Sequence, residues 1–202
     1  MKLCRKYSIA NLSGALDDLV MGERTETDRV RSRLLASYAL RGERCVVDMT
    51  AWWGQADVLS GLGPALAGLH RGERPTVVIG PESMGFLLGP MVAVAVGTGF
   101  VQMRKDMTER QVADQVLVRN TPPDFNNRTL SWGVQRRTLP TGQRVLFVDD
   151  WVETAATAQT ARRLVEAASA VWVGAVSIVD GTEGQERREL GLRSLLRKRE
   201  LW

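Results

Sequence analysis

Apolar positions change their period along the chain. Over residues 1–44 they recur at helical spacing, with Leu12, Leu16, Leu19 and Val20 on one stripe and Val30, Leu34, Leu35 and Tyr38 on the next. Thr27-Asp28 offers a start for the second helix, and the region predicts amphipathic packing helices without a catalytic signature. Beyond it, β-branched runs alternate with helical stretches. Residues 45–50 and 76–80 read as strands, 55–69 as a helix, 80–89 as a turn entering a helix, and 99–103 as a strand ended by Arg104-Lys105. Residues 145–148 are four apolar residues in a row, which suits a parallel strand covered on both faces. A helix from about Ala158 and a strand over 171–179 follow. Residues 106–128 lose the period and include Thr121-Pro122-Pro123 and Asn126-Asn127, the signature of a long mobile loop. Repeated alternation predicts an α/β fold with a doubly wound, mostly parallel sheet flanked by helices. The expected division is a helical extension over 1–44 and one domain over 45–202.

Composition narrows the function without naming it. The 202 residues are enough for one full core with an added terminal element. Hydrophobic content of 44% and charged content of 25% fit a soluble globular chain. The net charge of +4 is carried by arginine, since lysine occurs only at positions 2, 6, 105 and 198. Arginine grips phosphate and carboxylate in bidentate fashion. No long basic block, recognition helix or stacking platform is legible, so nucleic acid is not an expected partner. Cys4 and Cys45 are too dispersed for a disulfide framework or metal site, and His70 is the single histidine. The apolar run at 91–101 is short and broken by glycines, so no membrane span is expected. Asp17, Asp18 and Glu23 interrupt the start, unlike a signal peptide. The expected compartment is the cytoplasm.

The chemistry concentrates after the apolar run at 145–148. Asp149 and Asp150 stand at the carboxyl end of a buried strand, where open α/β sheets bind ligands. Thr154, Ala155, Ala156 and Thr157 then bring hydroxyls, backbone N–H groups and a helix start together as an anion cradle. Carboxylates for sugar hydroxyls beside a nest for phosphate describe a site for a phosphorylated ribose. The same residues also suit an ordinary acidic strand end followed by a threonine-capped helix.

The segment 145–157 resembles the phosphoribosyl-pyrophosphate motif of type I phosphoribosyltransferases, with Ala155-Ala156 where small residues, usually glycines, are typical. The resemblance implies that fold, including a small hood. It also implies that Asp149 and Asp150 take the ribose hydroxyls while residues 154–157 wrap the 5′-phosphate. Upstream, Glu82, Ser83, Gly85 and Phe86 are similar to the pyrophosphate loop of adenine phosphoribosyltransferases, but Met84 stands where that family places arginine. Arg104 and Lys105 match its basic pair near the diphosphate. The family's loop glutamate falls near Asn126, where this chain has no acid. Glu153 matches the acid that hypoxanthine-guanine-type members carry near the purine, which implies a proton-handling catalytic role; a helix-start acid is the alternative. Val46 and Val47 match the base-reading segment, with Val46 at the stacking position. Asp180-Gly181 replaces an acid and a larger apolar residue. Trp52, Trp53, Trp132 and Trp151 are the available aromatics for the lost stacking surface. The resemblance further implies Mg²⁺ as cofactor, phosphoribosyl pyrophosphate and a nucleobase-like acceptor as substrates, and a homodimer. Two readings stand: a phosphoribosyltransferase enzyme, or a non-catalytic sensor of phosphoribosyl pyrophosphate or a nucleotide.

Overall fold

The computed structural model describes residues 25–43, 46–107, 115–122 and 129–202. Helix α1 (Glu26–Ser37) starts at Thr25, two residues ahead of the expected Thr27-Asp28, because the Thr25 hydroxyl and the Asp28 carboxylate cap each other's backbone N–H groups. The next element is a strand within the segment expected to be mainly helical. Strand β1 (Ala39–Arg41) pairs antiparallel with β2 (Val46–Asp48), so the boundary expected at 44/45 falls inside a hairpin. The apolar stripe at 12–20 and both cysteines lie outside the described residues.

The chain continues through α2 (Thr50–Trp53), α3 (Ala56–Gly68), β3 (Val77–Pro81), α4 (Gly85–Val96) and β4 (Gly99–Lys105). Strands β5 (Val116–Asn120) and β6 (Ser131–Gln135) precede β7 (Arg144–Val152), α5 (Ala156–Ala167), β8 (Val171–Asp180), α6 (Gly184–Leu190) and β9 (Leu192–Arg197). The main sheet has the order β5-β6-β4-β3-β7-β8-β9. Its β4-β3-β7-β8-β9 part is parallel, and β6 and β5 add antiparallel at one edge. The β1–β2 hairpin stands outside this sheet.

Strand β7 shows why an unbroken apolar run was needed. Val145 and Phe147 pack with Leu164 and Val165 of α5, whereas Leu146 and Val148 pack with Leu62, Leu66, Leu88 and Val92 of α3 and α4. Each face is therefore a core, and each such side chain contributes about 1.5–3 kcal/mol by burial.

Three departures from expectation bear on the site. Strand β7 runs on through Asp149 and Asp150 to Val152, and α5 begins at Ala156 rather than near Ala158. Strand β4 includes Arg104 and Lys105 instead of ending before them. The expected loop at 106–128 contains β5, paired in register with β6 from Val116↔Gln135 to Asn120↔Ser131. Asn126 lies outside the described residues.

Candidate active site

The loop after β3 is held close to the sheet. Gly80 and Gly85 approach so tightly that a Cβ on Gly80 would lie 2.5 Å from the Gly85 carbonyl oxygen, and a Cβ on Gly85 would collide with Pro81. Two points on β4 secure this loop. The Glu82 amide donates to the Met103 carbonyl at 2.9 Å, and the Lys105 amide donates to Glu82 Oε2 at 3.3 Å. The Glu82–Ser83 peptide is cis. Met84 caps α4, whose free N-terminal N–H groups begin at this turn.

Strand β7 lies beside β3 and delivers Asp149 and Asp150 to the same rim. A cleft of about 280 Å³ is lined by Glu82, Ser83, Met84, Lys105, Asp149, Asp150 and Thr157, with Pro81, Leu130 and Trp132 completing its wall. A second hollow of about 170 Å³ is lined by residues 151–158 and Asp149. Asp149 and Thr157 belong to both, so the two hollows meet at these side chains. Three of the constellations expected from sequence thus converge: the loop after β3, the aspartate pair, and residues 154–157.

Electrostatics sets the cleft apart from an ordinary strand end. Its described lining carries three carboxylates, from Glu82, Asp149 and Asp150, against one ammonium, from Lys105. Burial, and then the adjacent Asp150 carboxylate, push the Asp149 carboxyl well above the ordinary aspartate range. The Asp150 amide donates to Asp149 Oδ1 at 3.0 Å and offsets this in part. Lys105 Nζ lies over the Trp132 ring, 5.4 Å from its centroid. Trp132 is 2% exposed, and its indole Nε1 is buried without a hydrogen-bond partner.

The turn after β7 is built from Ala155 in left-handed backbone, φ 59°, which starts α5 at Ala156 and leaves its first amides at the second hollow. Thr154 and Thr157 flank it. Glu153 lines the same hollow, accepts from Trp151 Nε1 at 2.7 Å, and pairs with Lys198. Partial burial would raise its acidity constant's pKa, but the hydrogen bonds from Lys198 and Trp151 and the Lys198 charge outweigh it and hold the Glu153 carboxyl below the usual range.

Other expected residues lie elsewhere. Arg104 points away from Lys105, because successive residues of a strand face opposite sides. Its guanidinium donates to Gln102 Oε1 at 2.7 Å, sits 4.9 Å from the Phe86 ring centroid, and lines a different hollow with Phe100 and Gln135. No arginine stands among the described residues lining the aspartate cleft, so Met84 has no arginine substitute there. Val46 is 60% exposed on the hairpin, Val47 packs partly on the core, and neither is among the residues lining either hollow. Asp180 is 1% exposed and bound to Arg187, Arg197 and Thr182, so it has no face left for a ligand. Trp52 is fully buried, with its indole donating to the Leu34 carbonyl, and Trp53 packs on the same core. Sequence reasoning missed Leu130 and Lys198, and it did not place Trp132 at the cleft; no local pattern marks any of them.

Several known proteins are similar to this chain. A model of the phosphoribosyl transferase domain matches residues 57–197. The chain is 32% identical over 121 residues to the adenine phosphoribosyltransferase of Desulfitobacterium hafniense strain Y51, covering 59% of this chain and 67% of that protein. It is 38% identical over 121 residues to that of Saccharopolyspora erythraea, covering 60% and 64% respectively. The chain therefore spans about two thirds of the length of these curated relatives. The crystal structure of adenine phosphoribosyltransferase from Rhodothermus marinus superposes with a TM-score of 0.70 at 26% identity, covering 84% of this chain and 98% of that one. The enzyme from Leishmania tarentolae shares the fold with a TM-score of 0.71 at 22% identity, covering 89% and 92%.

Proposed function

The chain belongs to the phosphoribosyl transferase domain family, and from that premise we propose that it moves ribose 5-phosphate from phosphoribosyl pyrophosphate to a purine-like heterocyclic base, with release of pyrophosphate. The observation that carries this reading is the meeting of two hollows at Asp149 and Thr157, one rimmed by the loop after β3 and the other by residues 154–157. A pentose bridging them has its hydroxyls at Asp149 and Asp150, its 5′-phosphate at the amides that open α5, and its pyrophosphate at Ser83, Gly85 and Lys105. As the bond from C1′ to pyrophosphate breaks, positive charge grows on the ribose, and the aspartate carboxylates stabilise it where it forms.

The charge balance of the cleft supports a cation accompanying the donor. Three carboxylates facing a polyanion require a positive charge between them, and Lys105 alone does not supply it. Among the described residues no group of three or more acidic, histidine or cysteine side chains could cage a metal. Mg²⁺ fits this charge balance: Asp149 and Asp150 would face it, and it would supply the positive charge that neutralises a departing diphosphate. Trp132 is the candidate donor where Met84 offers none: the residue lines the cleft, and its indole N–H is buried without a hydrogen-bond partner. Trp132→Phe keeps the ring and removes that donor. The expected result is a KM for phosphoribosyl pyrophosphate about tenfold higher, from one lost hydrogen bond to a charged group.

An exposed face of α4 supports a homodimer. Leu87, Pro90 and Val94 form an exposed apolar stripe at helical spacing on a helix without a charged residue, and Val94 is 82% exposed. Val94→Glu is expected to give a monomer by sedimentation or light scattering. The transfer reading is tested by following pyrophosphate release from the magnesium-loaded donor with a panel of purines and related heterocycles. Binding of donor without release across the panel would replace the enzyme with a sensor.

A further inference from the structure

A separate cavity lies at the opposite end of the sheet from the aspartate cleft. It sits where α3 ends ahead of β3 and α4 ends ahead of β4, with the length of β3 between it and the cleft. Its volume is about 480 Å³, its apolar wall includes Ala67, Ala95 and Val96, and His70, Arg71 and Arg74 complete the lining. The segments around it gather positive charge that the fold does not neutralise. Arg144 donates to the Glu73 and Arg74 carbonyls at 3.1 and 3.2 Å, and Arg193 donates to the Leu69 carbonyl. Carbonyls orient these guanidiniums without cancelling their charge. The carboxylate paired with them is Glu73, 3.9 Å from Arg144. Among the described residues, the Arg71 and Arg74 guanidiniums have no hydrogen bond or ion pair. Basic side chains at such a place ordinarily meet the carbonyl end of a helix. Arg193 already does so at the close of α3, and Gly97 closes α4 in left-handed backbone. Arg74 itself occupies left-handed backbone at φ 46°, which costs an L-residue roughly 1–2 kcal/mol, and no contact of its side chain within the fold offsets this. His70 contributes shape rather than charge. It is 3% exposed, its Nε2–H donates to the Gly191 carbonyl at 2.9 Å, and burial and then the Arg193 charge hold its pKa below the usual histidine range.

We propose that this cavity binds a small organic phosphate of the nucleoside diphosphate class, with the phosphates on Arg71 and Arg74 and the ring body on the apolar wall. A guanidinium fork pairs with phosphate oxygens two at a time. Two unpaired forks separated by Gly72-Glu73 suit a pair of phosphoryl groups better than a single carboxylate. Four guanidiniums beside one carboxylate repel one another, and a dianion or trianion among them removes that repulsion. The cavity volume lies within the range of about 300–1,000 Å³ usual for ligand sites. A bare inorganic anion would leave the apolar wall wet, although Ala95 is exposed in the free protein and gains from cover. A neutral ring compound would leave the guanidiniums unanswered. Only a ligand with both parts satisfies both halves of the cavity.

The test is calorimetry on the full chain with ADP, inorganic pyrophosphate and adenosine as probes, which needs no turnover. The Arg71→Gln/Arg74→Gln double variant is expected to lose one ADP-binding event per chain, or to weaken it about 100-fold, as for two charge-assisted hydrogen bonds lost. Both side chains are exposed, so its unfolding midpoint should match that of the unmodified protein. Pyrophosphate is expected to show the same arginine-dependent event at least about tenfold more weakly, for want of the ring body, and adenosine not to show it. Asp150→Asn is expected to retain the event, which separates this cavity from the aspartate cleft. The site therefore stands or falls independently of phosphoribosyl transfer. ADP binding unaltered in the double arginine variant would overturn the proposal, as would loss of the event in Asp150→Asn alone. Adenosine binding as tightly as ADP would overturn the phosphate assignment, and pyrophosphate binding as tightly would overturn the ring-body assignment.

Discussion

Two neighbouring strands carry an aspartate towards their carboxyl ends, Asp180 buried and Asp149 half-buried, and the contrast between them separates a fully partnered acid from an under-partnered one. Asp180, closing β8, receives Arg187 Nε at 2.8 Å, Arg197, and both the amide and hydroxyl of Thr182 at 2.7 Å. Its charge is fully partnered, and its job is to fix the turn at 181–183 and thereby the floor under Glu153. Asp149, three residues short of the end of β7, accepts from its neighbour's amide at 3.0 Å and faces a second carboxylate. Folding removes much of its water while the Asp150 amide and Lys105 compensate only in part, a cost that a ligand completing the set would offset.

The comparison is broken most severely at Asp180. Asp180→Ala leaves two guanidinium groups around an empty carboxylate position, and such losses run to about 3–5 kcal/mol. Arg187 and Arg197 keep 35% and 27% of their side-chain surface, so both can turn to water and the loss falls near the lower end of that range. Denaturant unfolding measures it. Asp150→Asn is expected to lower turnover by roughly 10²–10³-fold, as for removal of one charge-stabilising group, with unfolding unchanged. Unaltered pyrophosphate release in a folded Asp150→Asn protein would remove that carboxylate from the chemistry.

Asp149→Asn is expected to move stability and activity in opposite directions. Because the folded state holds the Asp149 proton more tightly than the unfolded chain does, its contribution to stability is greatest at acid pH. It declines as pH rises from the unfolded value, about 3.9, through the raised folded one. At neutral pH the substitution removes an uncompensated charge, so unliganded protein gains about 0.5–2 kcal/mol, the range of stabilising single changes, while turnover falls. The same change at 180 has no such gain to release. A thermal scan across pH distinguishes the two aspartates: only the Asp149 variant loses the decline with rising pH.

The legible parts of the fold and site are those whose residues are adjacent in sequence. The run at 145–150 reads directly because two cores demand apolar residues on both faces of β7 and the acids mark where cover ends. The turn at 80–86 reads because glycines must allow backbone to touch backbone. Strand β5 was hidden, since its apolar run Val116-Leu117-Val118 is only three residues long and the strand takes its order from pairing with β6. Arg104 and Lys105 read as one basic pair, but the strand continues beneath them and sends them to opposite faces. Glu153, Gly181 and Lys198 meet across gaps in sequence that only the order β7-β8-β9 closes. No local period or spacing could have announced that contact.

The turns after β7 and β8 invert the usual duties of glycine and alanine, and this yields the smallest expected effect. Gly181 is needed for room at Glu153 and is absent from the glycines with left-handed backbone. Ala155, by contrast, occupies left-handed backbone at φ 59°, which costs an L-residue roughly 1–2 kcal/mol. Ala155→Gly removes that cost but frees the unfolded chain, which returns about 0.4–1 kcal/mol. The net is a gain of about 0.5–1 kcal/mol, observable as a higher denaturation midpoint with unchanged slope. A loss of stability would mean that burial of the Ala155 methyl, 2% exposed against the α5 side of the core, outweighs the strain. The substitution also separates the two hollows functionally. A glycine there loosens the amides proposed to hold the 5′-phosphate while leaving Glu82, Lys105 and Trp132 untouched, so affinity for ribose 5-phosphate should change and affinity for pyrophosphate should not.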